Sequence, residues 1–146
     1  MTPVPNASLN VLMVDDDSFM LDFVASLLQD LGVQHIARAK DGQAGIAAYD
    51  RAGVKPHLIL CDLHMPGQDG FQFMRMLGER RYSGGIALIS GQENRILHSA
   101  ELMAQFHQLH ILGALSKPVS SEELEKAIKK LWMSKEAVAM LAAAGQ

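Results

Sequence analysis

The chain has 146 residues, of which 49% are hydrophobic and 20% are charged. This composition is typical of one globular domain with enough apolar side chains for a core, and it argues against intrinsic disorder. The formal net charge of −3 excludes the broadly basic surface that non-specific binding to nucleic acid requires. We therefore expect no direct contact with DNA or RNA.

The N-terminal segment and the single cysteine bear on the cell compartment. Residues 1–8 contain Pro3 and Pro5 but no basic residue, so the segment predicts neither a signal peptide nor a membrane anchor. We expect these eight residues to be disordered. Cys61 has no possible disulfide partner within the chain, which is typical of a reducing compartment. The sequence therefore predicts a cytoplasmic protein that does not contact a membrane.

Short apolar runs alternate along the chain with stretches of helical spacing, which predict strands and helices respectively. In chain order, the predicted strands are Leu9–Val14, a weaker Gln34–Arg38, His57–Cys61, Ile86–Ile89 and Ile111–Leu115. The predicted helices are Ser18–Leu31, Asp41–Arg51, Phe71–Arg80, Asn94–His107 and a fifth that begins with a capping box, Ser120-Ser121-Glu122-Glu123. This alternation predicts a doubly wound (βα)5 fold of the α/β class, with a parallel sheet covered by helices on both faces.

The last part of the chain is rich in alanine, which favours helix. We expect one domain over residues 9–132. Residues 133–146 are predicted to be either a helical extension or the start of a linker.

Polar and acidic residues follow four of the predicted strands. They are Asp15-Asp16-Asp17, Asp62, Ser90-Gly91 and Lys117-Pro118. In an open parallel sheet these positions meet at the carboxyl edge, where ligands bind. Converging carboxylates repel each other unless a cation lies between them, and their hard oxygen atoms suit Mg²⁺. One carboxylate can then attack a phosphoryl group whose charge is neutralised by the metal and a lysine.

Four motifs in this order resemble the response-regulator receiver domains of two-component signalling systems. They are Val11–Asp17, Leu60–Gly70, Ala87–Gly91 and Leu115–Pro118, and the resemblance covers residues 9–131. Each motif is weak alone, but four in order at strand ends form a specific signal. The resemblance implies a flavodoxin-like five-stranded sheet with the strand order 2-1-3-4-5.

The resemblance also implies a role for each matched residue. Asp62 would accept a phosphoryl group from a sensor histidine kinase or a phosphotransfer protein, and Ser90 would be the hydroxyl that moves towards that group. Lys117, preceding a cis peptide bond to proline, would pair with Asp62 and later with the phosphoryl oxygens. The implied Mg²⁺ ligands are Asp15, Asp16, Asp62 and the backbone carbonyl of His64. Asp17 is expected to cap the first helix instead.

We thus expect a signalling domain rather than an enzyme, with self-catalysed phosphotransfer and slow autodephosphorylation. In the family, phosphorylation rearranges the face formed by the fourth helix, fifth strand and fifth helix, which is predicted to contact an output domain or partner, or a second copy in a homodimer. Ala114 replaces the aromatic switch residue of many relatives, which puts that switching mechanism in doubt. Ser90–Leu102 resembles receivers joined to cyclic-di-GMP phosphodiesterase domains, one candidate for the output.

Three other functions remain open. The first is a phosphate-independent interaction module of the same fold. The presence of four residues argues against it: Asp16, Asp62, Ser90 and Lys117. The second is a Mg²⁺-dependent phosphatase or phosphotransferase whose nucleophile would lie within Asp15–Asp17, but no insertion is large enough to cover a substrate. The third is a nucleotide-binding flavodoxin-like domain, which is disfavoured because the loop after the first strand is acidic and lacks glycine.

Overall fold

The computed structural model of the chain contains a five-stranded sheet with helices on both faces. It describes residues 6–65, 69–91 and 94–144, of which residues 69, 94 and 134–144 are described by their backbone alone. The strands are β1 (Asn10–Val14), β2 (His35–Ala39), β3 (Leu58–Asp62), β4 (Gly85–Ser90) and β5 (His110–Ser116). The helices are α1 (Ser18–Asp30), α2 (Gly42–Arg51), α3 (Asp69–Glu79), α4 (Asn94–Phe106) and α5 (Ser121–Ala144). Every predicted strand and helix is present, and the predicted bounds differ from these by two residues or fewer.

The strands are all parallel and lie in the order β2-β1-β3-β4-β5, which confirms the predicted fold and strand order. Successive side chains of a strand point to opposite faces of the sheet. Val11 and Met13 therefore pack with α1 and α5, whereas Leu12 and Val14 pack with α2, α3 and α4. The central strands are buried on both faces, which explains why they read as continuous apolar runs.

One extra residue in β5 changes which of its side chains face the core. The register with β4 skips Leu112, because Ile111 and Gly113 pair with consecutive β4 residues. Leu112 and Leu115 consequently lie in the same core cluster, although strict alternation would place them on opposite faces. Lys130 Nζ donates a 3.1 Å hydrogen bond to the Leu112 carbonyl. The ammonium therefore satisfies a carbonyl at the irregularity in the ladder.

Both ends of the chain add to the predicted core domain. Asn6–Ser8 form a short 3-10 helix, in contrast to the disorder that the sequence predicted for residues 1–8. The physical reason is local: Asn6 Nδ2 donates a 2.8 Å hydrogen bond to the carbonyl of Leu31, which follows α1. Residues 1–5 lie outside the described part of the chain. At the other end, α5 continues as helical backbone to Ala144. The division into a domain of residues 9–132 and an extension or linker over residues 133–146 stays a prediction.

Candidate functional site

The carboxyl edge of the sheet brings three acidic side chains together. Asp15 and Asp16 directly follow β1, and Asp62 is the last residue of the neighbouring strand β3. One carboxylate oxygen from each residue lies within 4.8 Å of the other two. Asp15 and Asp62 are buried, whereas Asp16 is exposed. The convergence that the sequence predicted is therefore present, while the metal-binding role of these residues stays a prediction.

The two oxygen atoms of the Asp62 carboxylate have different surroundings. Oδ1 accepts a 3.0 Å hydrogen bond from the backbone N–H of His64 and lies 3.3 Å from Nζ of Lys117. Oδ2 is buried and accepts no hydrogen bond from any described residue. A buried carboxylate oxygen without a partner is energetically unfavourable. Oδ2 is therefore the atom that a cation or an electrophile would stabilise.

The Asp15 carboxylate is buried close to the negative charge of Asp62. Its Oδ1 accepts a 2.9 Å hydrogen bond from the backbone N–H of Asp17, which favours the ionised form. Burial outweighs this bond, and burial together with the negative charge of Asp62 raises the pKa of Asp15 to about 7. Two buried carboxylates and one exposed carboxylate at this spacing fit a small divalent cation, whose charge would offset their repulsion. The donor set is thus suited to Mg²⁺.

Asp17 lies beside the acidic cluster but serves the helix instead. Its carboxylate accepts hydrogen bonds from the backbone N–H groups of Phe19, at 3.0 Å, and Met20, at 3.4 Å. These contacts satisfy free N–H groups in the first turn of α1. The prediction that Asp17 caps the first helix is therefore confirmed.

Ser90 and His64 lie next to the acidic cluster. In the described part of the chain, neither side chain forms a hydrogen bond with Asp62. Ser90 is buried, and its hydroxyl donates a 3.3 Å hydrogen bond to the adjacent Gly91 carbonyl. The His64 ring lies against Gly91, because a Cβ atom built on that glycine would be 3.2 Å from His64 Nε2. The switch role of Ser90 and the metal-binding role of the His64 carbonyl stay predictions.

Lys117 reaches the cluster from the end of β5. The Lys117–Pro118 peptide bond is cis, as predicted, and the Lys117 N–H donates a 3.3 Å hydrogen bond to the Ser90 carbonyl at the end of β4. In the first turn of α5, Glu123 Oε2 accepts a 3.0 Å hydrogen bond from the N–H of Ser116. The sequence predicted only the capping role of Glu123. It did not predict this link to the end of β5, which Lys117 directly follows.

Other positions noted in the sequence fall outside this cluster. Cys61 is fully buried on β3, and burial raises the pKa of its thiol, so the thiolate that reacts with electrophiles is disfavoured. Ala114, at the position of the expected aromatic switch, is exposed. Among the described residues, no helix combines the length and the apolar character that crossing a bilayer requires. The cytoplasmic location stays a prediction.

Similar proteins carry related sequences over most of this chain. The positive alginate biosynthesis regulatory protein of Pseudomonas aeruginosa is 31% identical over 124 residues, which are 84% of this chain and 46% of that protein. The cyclic di-GMP phosphodiesterase RocR of the same organism is 31% identical over 119 residues, 80% of this chain and 29% of that protein. The chain thus spans less than half the length of these two relatives. Chemotaxis protein CheY of Listeria monocytogenes is 24% identical and is covered over 97% of its length.

Solved structures share the fold. A response regulator from Colwellia psychrerythraea has a TM-score of 0.69 at 28% identity, covering 88% of this chain and 99% of its own. A response regulator receiver domain protein from Clostridium thermocellum has a TM-score of 0.75 at 21% identity, covering 89% and 98% respectively. The sequence model described as the response regulator receiver domain matches residues 11–129. The chain therefore belongs to the response regulator receiver domain family of two-component signalling.

Proposed function

We propose that this chain accepts a phosphoryl group on Asp62 from a sensor histidine kinase or a phosphotransfer protein, in a Mg²⁺-dependent reaction. The phosphorylated domain then changes its contacts with an output domain or protein partner. The acyl phosphate hydrolyses slowly through the domain's own residues. The observation that supports this proposal is that the two oxygen atoms of the Asp62 carboxylate have different surroundings.

That environment suits a nucleophile. Lys117 and the His64 backbone both engage Oδ1, which orients the carboxylate and leaves Oδ2 with a lone pair that no described protein group uses. A fixed, desolvated oxygen is more reactive than one surrounded by water, because no hydrogen bonds to solvent must break first. Asp15 and Asp16 supply the acidic ligands that would hold the cation beside it.

The transfer step follows from these positions. An oxygen of Asp62 attacks phosphorus and forms a P–O bond, while the P–N bond to the donor histidine breaks and the imidazole leaves with the electron pair and takes up a proton. When bound, Mg²⁺ supplies positive charge that stabilises the phosphoryl oxygens in the transition state. The ammonium of Lys117, which lies 3.3 Å from Oδ1 of Asp62, adds positive charge beside the reacting carboxylate. The Ser90 hydroxyl leaves only a weak hydrogen bond at Gly91 when it turns towards the phosphoryl group.

The proposal is tested without knowledge of the kinase. Incubation with Mg²⁺ and acetyl phosphate is expected to add one phosphoryl group per chain, detected by intact-mass spectrometry. Chelation of the metal with EDTA should prevent the addition, since the reaction then lacks a cation to offset the converging negative charges. The absence of an adduct in a folded chain that binds Mg²⁺ would favour the phosphate-independent interaction module.

The metal site makes a separate prediction for Asp15→Asn. In Mg²⁺-free buffer at about pH 8, we expect this substitution to raise the free energy of unfolding by about 1–3 kcal/mol, because it removes a buried charge beside Asp62. Adding Mg²⁺ should stabilise the wild type, because Mg²⁺ binds the folded chain and not the unfolded chain. It should stabilise the variant much less. Thermal unfolding with and without Mg²⁺ measures both effects.

The control for this prediction is Glu125→Gln, which removes a negative charge from an exposed position on α5. It should leave both the Mg²⁺-free stability and the Mg²⁺-induced stabilisation unchanged. Equal responses of Asp15→Asn and wild type to Mg²⁺ would contradict the assignment of Asp15 as a ligand.

The output of the domain is proposed to act through the face formed by α4, β5 and α5. Two large apolar side chains of α4, Leu102 and Phe106, are 53% and 82% exposed, and a partner protein or a second copy would bury them. Ala114 of β5 is exposed on the same part of the fold and has no aromatic ring whose rotamer could report the phosphorylation state. The relative RocR is a cyclic di-GMP phosphodiesterase, and the matched region is only 29% of its length. A cyclic-di-GMP phosphodiesterase domain is therefore one candidate for the output.

A further inference from the structure

Glu123 joins the end of β5 to the start of α5 through both oxygen atoms of its carboxylate. Oε2 accepts the 3.0 Å hydrogen bond from the Ser116 N–H, and Oε1 lies 3.3 Å from the hydroxyl of Ser120, which donates to it. The Glu123 N–H in turn donates a 3.2 Å hydrogen bond to the Ser120 hydroxyl. One half-buried side chain therefore holds both ends of the loop 117–120.

This arrangement differs from an ordinary capping box. In that motif the glutamate at the third helical position returns to the backbone N–H of the capping residue. Here it reaches past Ser120 to Ser116, the last residue of a strand at the edge of the sheet. The N–H of Lys117 already points towards β4, where it bonds to the Ser90 carbonyl, so the N–H of Ser116 points away from the sheet. Glu123 supplies the acceptor that no neighbouring strand provides.

The loop that Glu123 holds carries the Lys117 ammonium. Lys117 directly follows Ser116, and its Nζ lies 3.3 Å from Oδ1 of Asp62. Lysine has a long, flexible side chain, so the position of its backbone limits how often the ammonium lies near the carboxylate. Fixing the residue before it and the residue that caps α5 restricts that backbone. The restriction costs no entropy at the moment of reaction.

We propose that Glu123 is a positioning residue for phosphoryl uptake, acting through Lys117 by holding the loop between β5 and α5. This inference rests on the proposed function of Asp62 as phosphoacceptor. The described contacts of Glu123 are with Ser116 and Ser120, and none is with the acidic cluster. Its effect on the reaction therefore has to pass through the lysine.

The test compares the initial rate of phosphoryl uptake from acetyl phosphate and Mg²⁺ among matched variants. Glu123→Ala is expected to slow uptake about tenfold, the effect of losing hydrogen bonds to a charged group. Glu123→Gln retains one oxygen acceptor and should recover part of the rate. Glu122→Ala and Glu125→Ala remove the same charge from exposed positions of the same helix and should leave uptake unchanged.

Two further measurements separate positioning from simple helix capping. In a Lys117→Ala background, Glu123→Ala should cause no additional slowing, because residues that act through one another are not additive. Hydrogen exchange should show that the Ser116 amide is protected in wild type and in Glu122→Ala but not in Glu123→Ala. A lower melting temperature with an unchanged uptake rate in Glu123→Ala would overturn the proposal.

The outcomes also distinguish this inference from the function on which it rests. No uptake by the wild type would overturn the proposed phosphoacceptor role and this inference with it. Normal uptake by the wild type and by Glu123→Ala would overturn the role of Glu123 alone. Equal slowing in Glu122→Ala or Glu125→Ala would replace positioning with a general charge effect.

Discussion

Asp62→Asn is expected to abolish the phosphoryl adduct that acetyl phosphate and Mg²⁺ form on the wild type. The amide has nearly the same shape, but it lacks the charged oxygen that attacks phosphorus. Its carbonyl oxygen can still accept the hydrogen bond that the His64 N–H donates to Oδ1. The variant also relieves the repulsion with Asp15, so it should fold at least as stably as the wild type. Intact-mass spectrometry and circular dichroism measure the two effects.

The matched control is Asp17→Asn. Asp17 lies beside the cluster but caps α1, and asparagine is an equally good capping residue. This variant should therefore take up a phosphoryl group at nearly the wild-type rate. If the adduct persisted in Asp62→Asn and disappeared in Asp15→Asn or Asp16→Asn, the nucleophile would lie after β1. The phosphatase-like alternative would then account for the chemistry.

Phe73→Ala is expected to lower the free energy of unfolding by about 3–5 kcal/mol. Phe73 lies on α3, has no exposed surface and belongs to the core cluster between the sheet and α2, α3 and α4. Its ring packs closely on α2, because a Cβ atom built on Gly45 would lie 2.9 Å from Cε1 of Phe73. Truncation would leave a cavity that the fixed backbone of both helices cannot fill. Urea denaturation measures the loss.

Phe106→Ala provides the control for Phe73→Ala, because it makes the same chemical change at an 82% exposed position on α4. We expect a loss below about 1 kcal/mol, since little buried surface disappears. Similar losses in the two variants would mean that Phe106 is buried in solution, for example against a second copy of the chain. Sedimentation at several concentrations would then reveal an oligomer.

The alternation of strands and helices was predictable because each element has a local pattern. Buried central strands such as β3 show continuous apolar runs, and α1 shows apolar side chains at helical spacing followed by Gly32. The carboxyl ends of the strands were predictable as well, because each apolar run stops where polar residues begin. Parallel strands end at one edge of the sheet, so Asp62 and Lys117 had to lie near Asp15 once the topology was known.

The prediction was wrong for residues 6–8 for a reason outside their own pattern. Nothing in that short segment indicates order, but Asn6 bonds to Leu31, which is 25 residues away. Which β5 side chains face the core also depends on a contact outside the strand. The strand gains one residue at Leu112, and Lys130 of a different element satisfies the carbonyl of that residue. Local propensity does not reveal contacts between distant segments.

The sequence by itself determined the elements, the acidic edge and the identity of the residues that meet there. Only the tertiary structure decided that Oδ1 of Asp62 is engaged while Oδ2 is not, because that division depends on where the His64 backbone and the Lys117 ammonium come to lie. It also decided that Glu123 reaches Ser116 as well as capping α5. Periodicity locates a residue on an element, whereas hydrogen bonds of about 3 Å depend on how the elements pack.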